Sequence, residues 1–102
     1  MEHFISISEI IGNVRDGARE GQVCATADTE YDNATSSVRV TLDSFVRPLP
    51  PSGNGTHAEP WLPAPENVSE HLPRGEVSEF TRDVFKKWVR QVREAIPPAL
   101  AT

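Results

Sequence analysis

Few residues in this chain have side chains suited to covalent or metal chemistry, and they are scattered. The one cysteine, Cys24, lies in Gln22-Val-Cys-Ala-Thr26, with no histidine or lysine near it in sequence. A thiolate nucleophile needs a neighbour that lowers its pKa. Without one, Cys24 reads as a small half-buried side chain in a strand. A catalytic role would require the fold to bring His3, His57 or His71 alongside it. The candidate metal-ligand pairs are His57 with Glu59 and Glu70 with His71. Neither spacing gives the two same-face ligands of a helical i, i+4 pair, and there is no Cys-x-x-Cys. Gly53-Asn-Gly55 runs into Thr56-His-Ala58 and then Pro60, without the strand–turn–helix setting of a phosphate loop. Acids are numerous, but none sits in an apolar stretch that would raise its pKa for general acid–base work. The expectation is no catalytic residue, no metal and no cofactor.

Two proline motifs fit binding better. Arg47-Pro-Leu-Pro-Pro51 has the basic end of a polyproline ligand. Glu59-Pro-Trp61-Leu-Pro63 sets a tryptophan and a leucine between prolines in an extended segment. Tryptophan is enriched among the residues that dominate interface energy. Pro60, Trp61, Leu62 and Pro63 are therefore candidate partner-binding residues. The competing reading folds Trp61 back over the protein's own sheet. Asp28, Glu30 and Asp32 are candidates for meeting a basic surface on a partner. Three of the four asparagines, Asn33, Asn54 and Asn67, stand in Asn-x-Ser/Thr triplets. Turn-rich segments concentrate these residue types, so glycosylation is not the expected reading.

Composition narrows the class further. The 102 residues make one domain, with hydrophobic residues at 37%, below the usual share of about 45–50%. Ten bases against fifteen acids give a net charge of −5, which opposes binding to phosphate backbones. Residues 1–73 hold four bases and eleven acids, net −7; residues 74–102 hold six and four, net +2. No stretch approaches the roughly 20 apolar residues of a membrane helix. Met1–Ile10 has an acid and no basic leader region, and one cysteine allows no intrachain disulfide. Both features point to a cytoplasmic protein.

These residues must be positioned by a small set of elements. Ser6 and Glu9 form a capping box, and Ile5 and Ile10 a hydrophobic staple. Ile7, Ile10, Ile11, Val14 and Ala18 then fall on one narrow helical stripe, with Gly21 at the C-terminal cap. This spacing predicts a helix over 7–20, weakened by Gly12 and Gly17. From residue 22 the period changes to two. Val23, Ala25 and Ala27 share a face with Val38, Val40 and Leu42 across the turn residues Asp32–Ser36, predicting an antiparallel hairpin. Residues 47–73 hold seven of the nine prolines, and Pro65–Leu72 has room for one or two helical turns. In the last segment Val77, Phe80, Val84, Phe85, Trp88, Val89, Val92, Ala95 and Ile96 occupy one half of a helical wheel. Pro97-Pro98 ends it. The resulting expectation is an α+β fold in three parts. They are a helix plus hairpin (1–46, the sheet extended by dimerisation or a partner strand), a Pro-rich arm (47–73) and a C-terminal amphipathic helix packed on the sheet (74–97).

Residues 5–46 resemble the N-terminal half of Phd/YefM-type antitoxins through Ile5-Ser-Ile-Ser-Glu9, a short amphipathic helix, Gly21 and a hairpin. That resemblance implies a dimerising, operator-binding N-terminal part and a toxin-wrapping C-terminal part. The chain departs from the pattern in its longer hairpin turn, in Gly12 and Gly17, and in three bases against eight acids over residues 1–46. The family is not adopted. The expected function is a non-enzymatic protein–protein interaction module: an adaptor, inhibitor or assembly subunit of bacterial or phage type. Its partner is another protein, a larger assembly or a further copy of itself. The alternative is an antitoxin-like regulator touching DNA through Arg82, Lys86, Arg90 and Arg93.

Overall fold

The computed structural model describes residues 1–16, 19–48 and 58–97. Three long strands, β1 (Glu2–Asp16), β2 (Arg19–Asp32) and β3 (Ser37–Arg47), form an antiparallel meander. Two short strands, β4 (Glu59–Pro60) and β5 (Val68–His71), both pair with β3, at its C-terminal and N-terminal ends respectively. A 3-10 turn at Arg74–Glu76 leads into α1 (Val77–Glu94), the one α-helix among the described residues. The class is α+β, one five-stranded antiparallel sheet with one C-terminal helix.

The helix expected over 7–20 is not formed: residues 7–16 belong to β1 and 19–20 to β2, while Gly17 and Ala18 lie outside the described residues. The reason is a β-bulge. Register with β2 shifts between Ile10 and Gly12, and the extra residue reverses the phase of the alternation. Inward positions therefore run Ile5, Ile7, Glu9 and then Ile11 and Val14. The last apolar positions, 7, 11 and 14, are spaced four and three apart, as on a helix. Ile, Val and Thr also favour strands over helices. The capping box dissolves accordingly. The Ser6 hydroxyl donates to Asp28, and Glu9 lies 3.9 Å from Arg93. Pro65–Leu72 likewise holds β5 in place of helical turns, with Val68 opposite Val40 and Ser69 opposite Arg39. Within the Pro-rich arm, residues 58–73 extend the sheet and line its core. Leu49–Pro51, Gly53–Gly55, Asn54 and His57 lie outside the described residues.

The core lies between α1 and one face of the sheet. Val23, Ala25, Ala27, Val38 and Val40 are fully buried on that face, beneath Val77, Phe85, Trp88 and Val92 of the helix. The small alanines of β2 make room for the large helix side chains. The buried stripe is rotated from the expected one: Phe80 and Val84 are half-buried, while Thr81 is fully buried. Trp88 donates from Nε1 to the Asp43 carbonyl at 2.8 Å, tying the helix to β3. At the turn end, Tyr31 donates its hydroxyl hydrogen to the Leu72 carbonyl at 2.6 Å. Its ring meets Phe4 with centroids 6.2 Å apart, and the Arg74 guanidinium lies 5.0 Å from the centre of the Phe4 ring.

One polar pair crosses this layer. The hydroxyls of Thr29 on β2 and Thr81 on α1 are 2.8 Å apart and fully buried. Removing one partner strands the other. Thr81→Val is expected to lower stability by about 1–3 kcal/mol, whereas Thr29→Val with Thr81→Val together recovers most of the loss. Urea denaturation of the single and double variants measures this directly. Equal losses that simply add would show the two hydroxyls to be uncoupled.

Candidate protein-binding face

The molecule is 19 Å through its thinnest dimension, which is a sheet plus one helix layer. The helix covers one side, and among the described residues nothing covers the other side of the sheet, called the open side below. Cross-strand register arranges the open side in rows. Ile10, Cys24, Phe45 and Pro60 stand directly opposite one another across β1, β2, β3 and β4. This is an apolar row running the full width of the sheet. Ile10 is 52% exposed, Phe45 half-buried and Pro60 exposed, while Cys24 beneath them is only 4% exposed. A groove of about 380 Å³ lies between Ile10, Phe45 and Arg47, with Cys24 at its floor. A second, of about 410 Å³, continues past Phe45 to Pro60, Leu62 and Pro63. Phe45 is the shared wall.

Polar rows flank the apolar one. On one side stand Asn13, Gln22 and Arg47; the Arg47 guanidinium donates to the Gln22 side chain at 3.3 Å. On the other stand Ser8, Thr26 and Asp43, then Ser6, Asp28 and Thr41, then His3, Glu30, Arg39 and Ser69. A hydrogen bond from Arg39 at 2.8 Å, with its charge, holds the Glu30 carboxyl below the usual carboxylate range. A lowered folded-state pKa means this pairing contributes above the ordinary carboxylate pKa. The contribution fades as pH falls through the lowered value.

The rows bring together residues that sequence distance separates. Asp28, Glu30 and Asp32 share the open face with Pro60, at the opposite end of it. Asp32 also accepts the Ala34 N–H at 2.9 Å, shaping the β2–β3 turn. Pro63 is exposed and Leu62 half-buried, its N–H bonded to the Ser44 hydroxyl at 3.0 Å. Trp61 goes the other way. Its indole is 7% exposed within the core and donates to the Val92 carbonyl at 3.3 Å. The tryptophan thus packs in its own domain, and the residues of its segment left at the surface are Glu59, Pro60, Pro63 and part of Leu62.

Neither described histidine lies beside Cys24. His3 lies opposite Glu30, six residues along β2 from the thiol, which is about 20 Å of strand. His71 is farther still, opposite Ser37. Burial pushes the Cys24 thiol above its ordinary pKa, with Arg47 pulling it partly back, so it stays protonated at neutral pH. His3, Ser6 and Asp28 do form a hydrogen-bonded cluster. The Ser6 hydroxyl donates to Asp28 at 2.5 Å and lies 2.8 Å from Nε2 of His3. This reverses the order an acyl-transfer triad needs, in which the imidazole takes the serine proton. All three side chains are exposed. Among the described residues no three His, Cys, Asp or Glu side chains are grouped to hold a metal ion, and no buried polar side-chain atom lacks a partner. Among them, too, no helix is long and apolar enough to cross a membrane.

Ile10 and Phe45 are not among the binding candidates that residue type alone offers. Ile10 was masked by the helical reading of β1. Phe45 had a usable signal, since Arg39, Thr41, Asp43 and Phe45 continue the outward half of the β3 alternation. Fold and face together define a two-layer α+β protein whose sheet, among the described residues, is covered on one side only. No family model, curated protein or solved structure matches this chain.

Proposed function

We propose that this chain is a non-enzymatic protein–protein interaction module, an adaptor, inhibitor or assembly subunit, that binds its partner through the open face of its sheet. The observation that carries this reading is the row Ile10–Cys24–Phe45–Pro60, an apolar stripe bounded by polar rows on the uncovered side. Interfaces commonly have this anatomy, an apolar centre with a polar rim. Asp28, Glu30, Asp32 and Asp43 outnumber Arg39 and Arg47 on this face, so a partner with an apolar ridge and basic flanks complements it.

The test compares variants that keep strand propensity. Ile10→Thr and Phe45→Thr replace apolar surface with a β-branched polar residue. Lys86→Glu, on the exposed side of α1, serves as control. With the fold checked by circular dichroism, the two threonine variants are expected to recover a co-purifying partner at least tenfold less well, and Lys86→Glu as well as wild type. Equal recovery by all three would remove the open face from consideration. The DNA reading rests on Arg82, Lys86, Arg90 and Arg93, which are exposed but interspersed with Glu79, Asp83 and Glu94. Salt-dependent gel shifts, weakened in Lys86→Glu, would favour it.

A further inference from the structure

The two edges of the sheet are built differently. On one side β4 and β5 are two and four residues long, and Pro60, Pro63, Pro65 and Pro73 remove backbone donors along the same segment. Such devices blunt an edge against pairing. On the other side β1 runs for 15 residues, and among the described residues no strand pairs with its outer side. Irregularities between His3 and Ile5 and between Ile10 and Gly12 bracket a regular window, Ile5–Ile10. Within it Ile5 and Ile7 face the helix side and are half-buried, whereas Thr29 and Ala27, directly opposite on β2, are fully buried. Phe4 and Ile11 are half-buried in the same way, packed against the core. Among the described residues the apolar layer under α1 is cut off at β1, not closed there. On the other side of the window, Ser6 and Ser8 are too small to obstruct a neighbouring strand.

We propose that a second copy of this chain covers this edge, β1 pairing antiparallel with β1 of the other copy within Ile5–Ile10. The result is one continuous ten-stranded sheet with both helices on the same side. The window is complementary to itself. A two-fold axis normal to the sheet sets odd positions beside odd positions: centred on Ser6 it places Ile5 against Ile7 on the helix side, centred on Ile7 it places Ile7 against Ile7, and centred on Ser8 it places Ile7 against Glu9, with serine against serine on the open side in each. A lone foreign strand would satisfy the edge amides but bring no half-buried isoleucine layer of its own. Pairing also closes the assembly, since only the proline-blunted edges remain. The dimer presents two open faces side by side, and it does not depend on what those faces bind.

The window offers about 20 Å of paired edge, which places the interface at the small end of specific contacts. Association is therefore expected to depend on concentration. Each copy carries a net charge of −5, so added salt should strengthen it by screening. Sedimentation equilibrium of the full chain over about 1 to 200 μM covers the micromolar range such interfaces reach. Mass is expected to rise from 11.3 kDa toward twice that value, at lower concentration in high salt. Ile7→Lys should move the midpoint at least tenfold upward. Because that change also touches the monomer's packing, a second measurement stands beside it. In a Cys24→Ala background, Ser6→Cys, Ser8→Cys and a mixture of the two sample the pairings centred on Ser6, Ser8 and Ile7. A centre on Glu9 would oppose two carboxylates. One of the three is expected to give a disulfide-linked dimer on mild oxidation, faster than Lys86→Cys does. An 11.3 kDa mass at every concentration, or serine-site crosslinking no faster than at position 86, overturns the proposal.

Discussion

Replacing Trp61 with alanine is expected to lower the stability of this domain by about 3–5 kcal/mol, a fall in melting temperature of more than about 12 °C. The indole is 7% exposed and fills the core between the sheet and the C-terminal turns of α1. Its Nε1–H reaches the Val92 carbonyl at 3.3 Å, and its backbone N–H reaches the Ser44 carbonyl at 3.1 Å. The next residue, Leu62, donates its N–H to the Ser44 hydroxyl at 3.0 Å. Truncation therefore opens a large cavity and loosens the clip that holds the segment after β4 against β3. Trp61→Phe keeps most of the volume and loses only the indole donor, so about 1 kcal/mol is expected. Trp88→Ala, with an indole 3% exposed and bonded to the Asp43 carbonyl, should cost as much as Trp61→Ala. Urea titration gives the comparison. A Trp61→Ala midpoint equal to wild type would mean that the indole does not pack in this core.

Gly21→Ala should be nearly as damaging, by about 3 kcal/mol. Gly21 has φ +155°, and an added Cβ would stand 2.1 Å from the Arg47 carbonyl oxygen and 2.8 Å from its carbon. Both atoms are backbone, so no side-chain rotation relieves the clash; β2 and β3 must part where Gln22 meets Arg47. That is also the end of the sheet where the apolar row lies, so the substitution should disturb the open face as well as stability. Gly75→Ala is the control, because nothing lies within 4 Å of its added Cβ. It should change stability by no more than about 0.5 kcal/mol. Equal behaviour of the two alanine variants would contradict the close approach at Gly21.

These two residues also mark where the sequence is readable and where it is not. Gly21 reads as a helix cap because the bulge at Ile10 gives β1 a local spacing of four and three. Nothing nearer than Arg47, 26 residues on, reveals that a strand backbone presses against it. Trp61 stands between prolines, a setting that fits a partner-gripping arm and a folded-back clip equally well. The choice is made by Val92 and Ser44, which are distant in sequence. By contrast, Val77 to Val92 carry a helical period unbroken by glycine or proline, and Val23–Ala27 with Val38–Leu42 alternate cleanly. Periodicity alone places those elements. For the candidate face, Asp28, Glu30 and Pro60 are visible from residue type. Their union with Ile10 and Phe45 depends on register, which no single strand records.

Site-specific photo-crosslinking tests the open face most directly. A photoreactive phenylalanine analogue at position 45 replaces a half-buried ring with one of similar shape, and the same group at position 86 reports on the outer side of α1. With the native partner present, crosslinks to it are expected from position 45 and not from position 86. Efficient crosslinking from 86 with none from 45 would contradict partner binding through the uncovered side of the sheet.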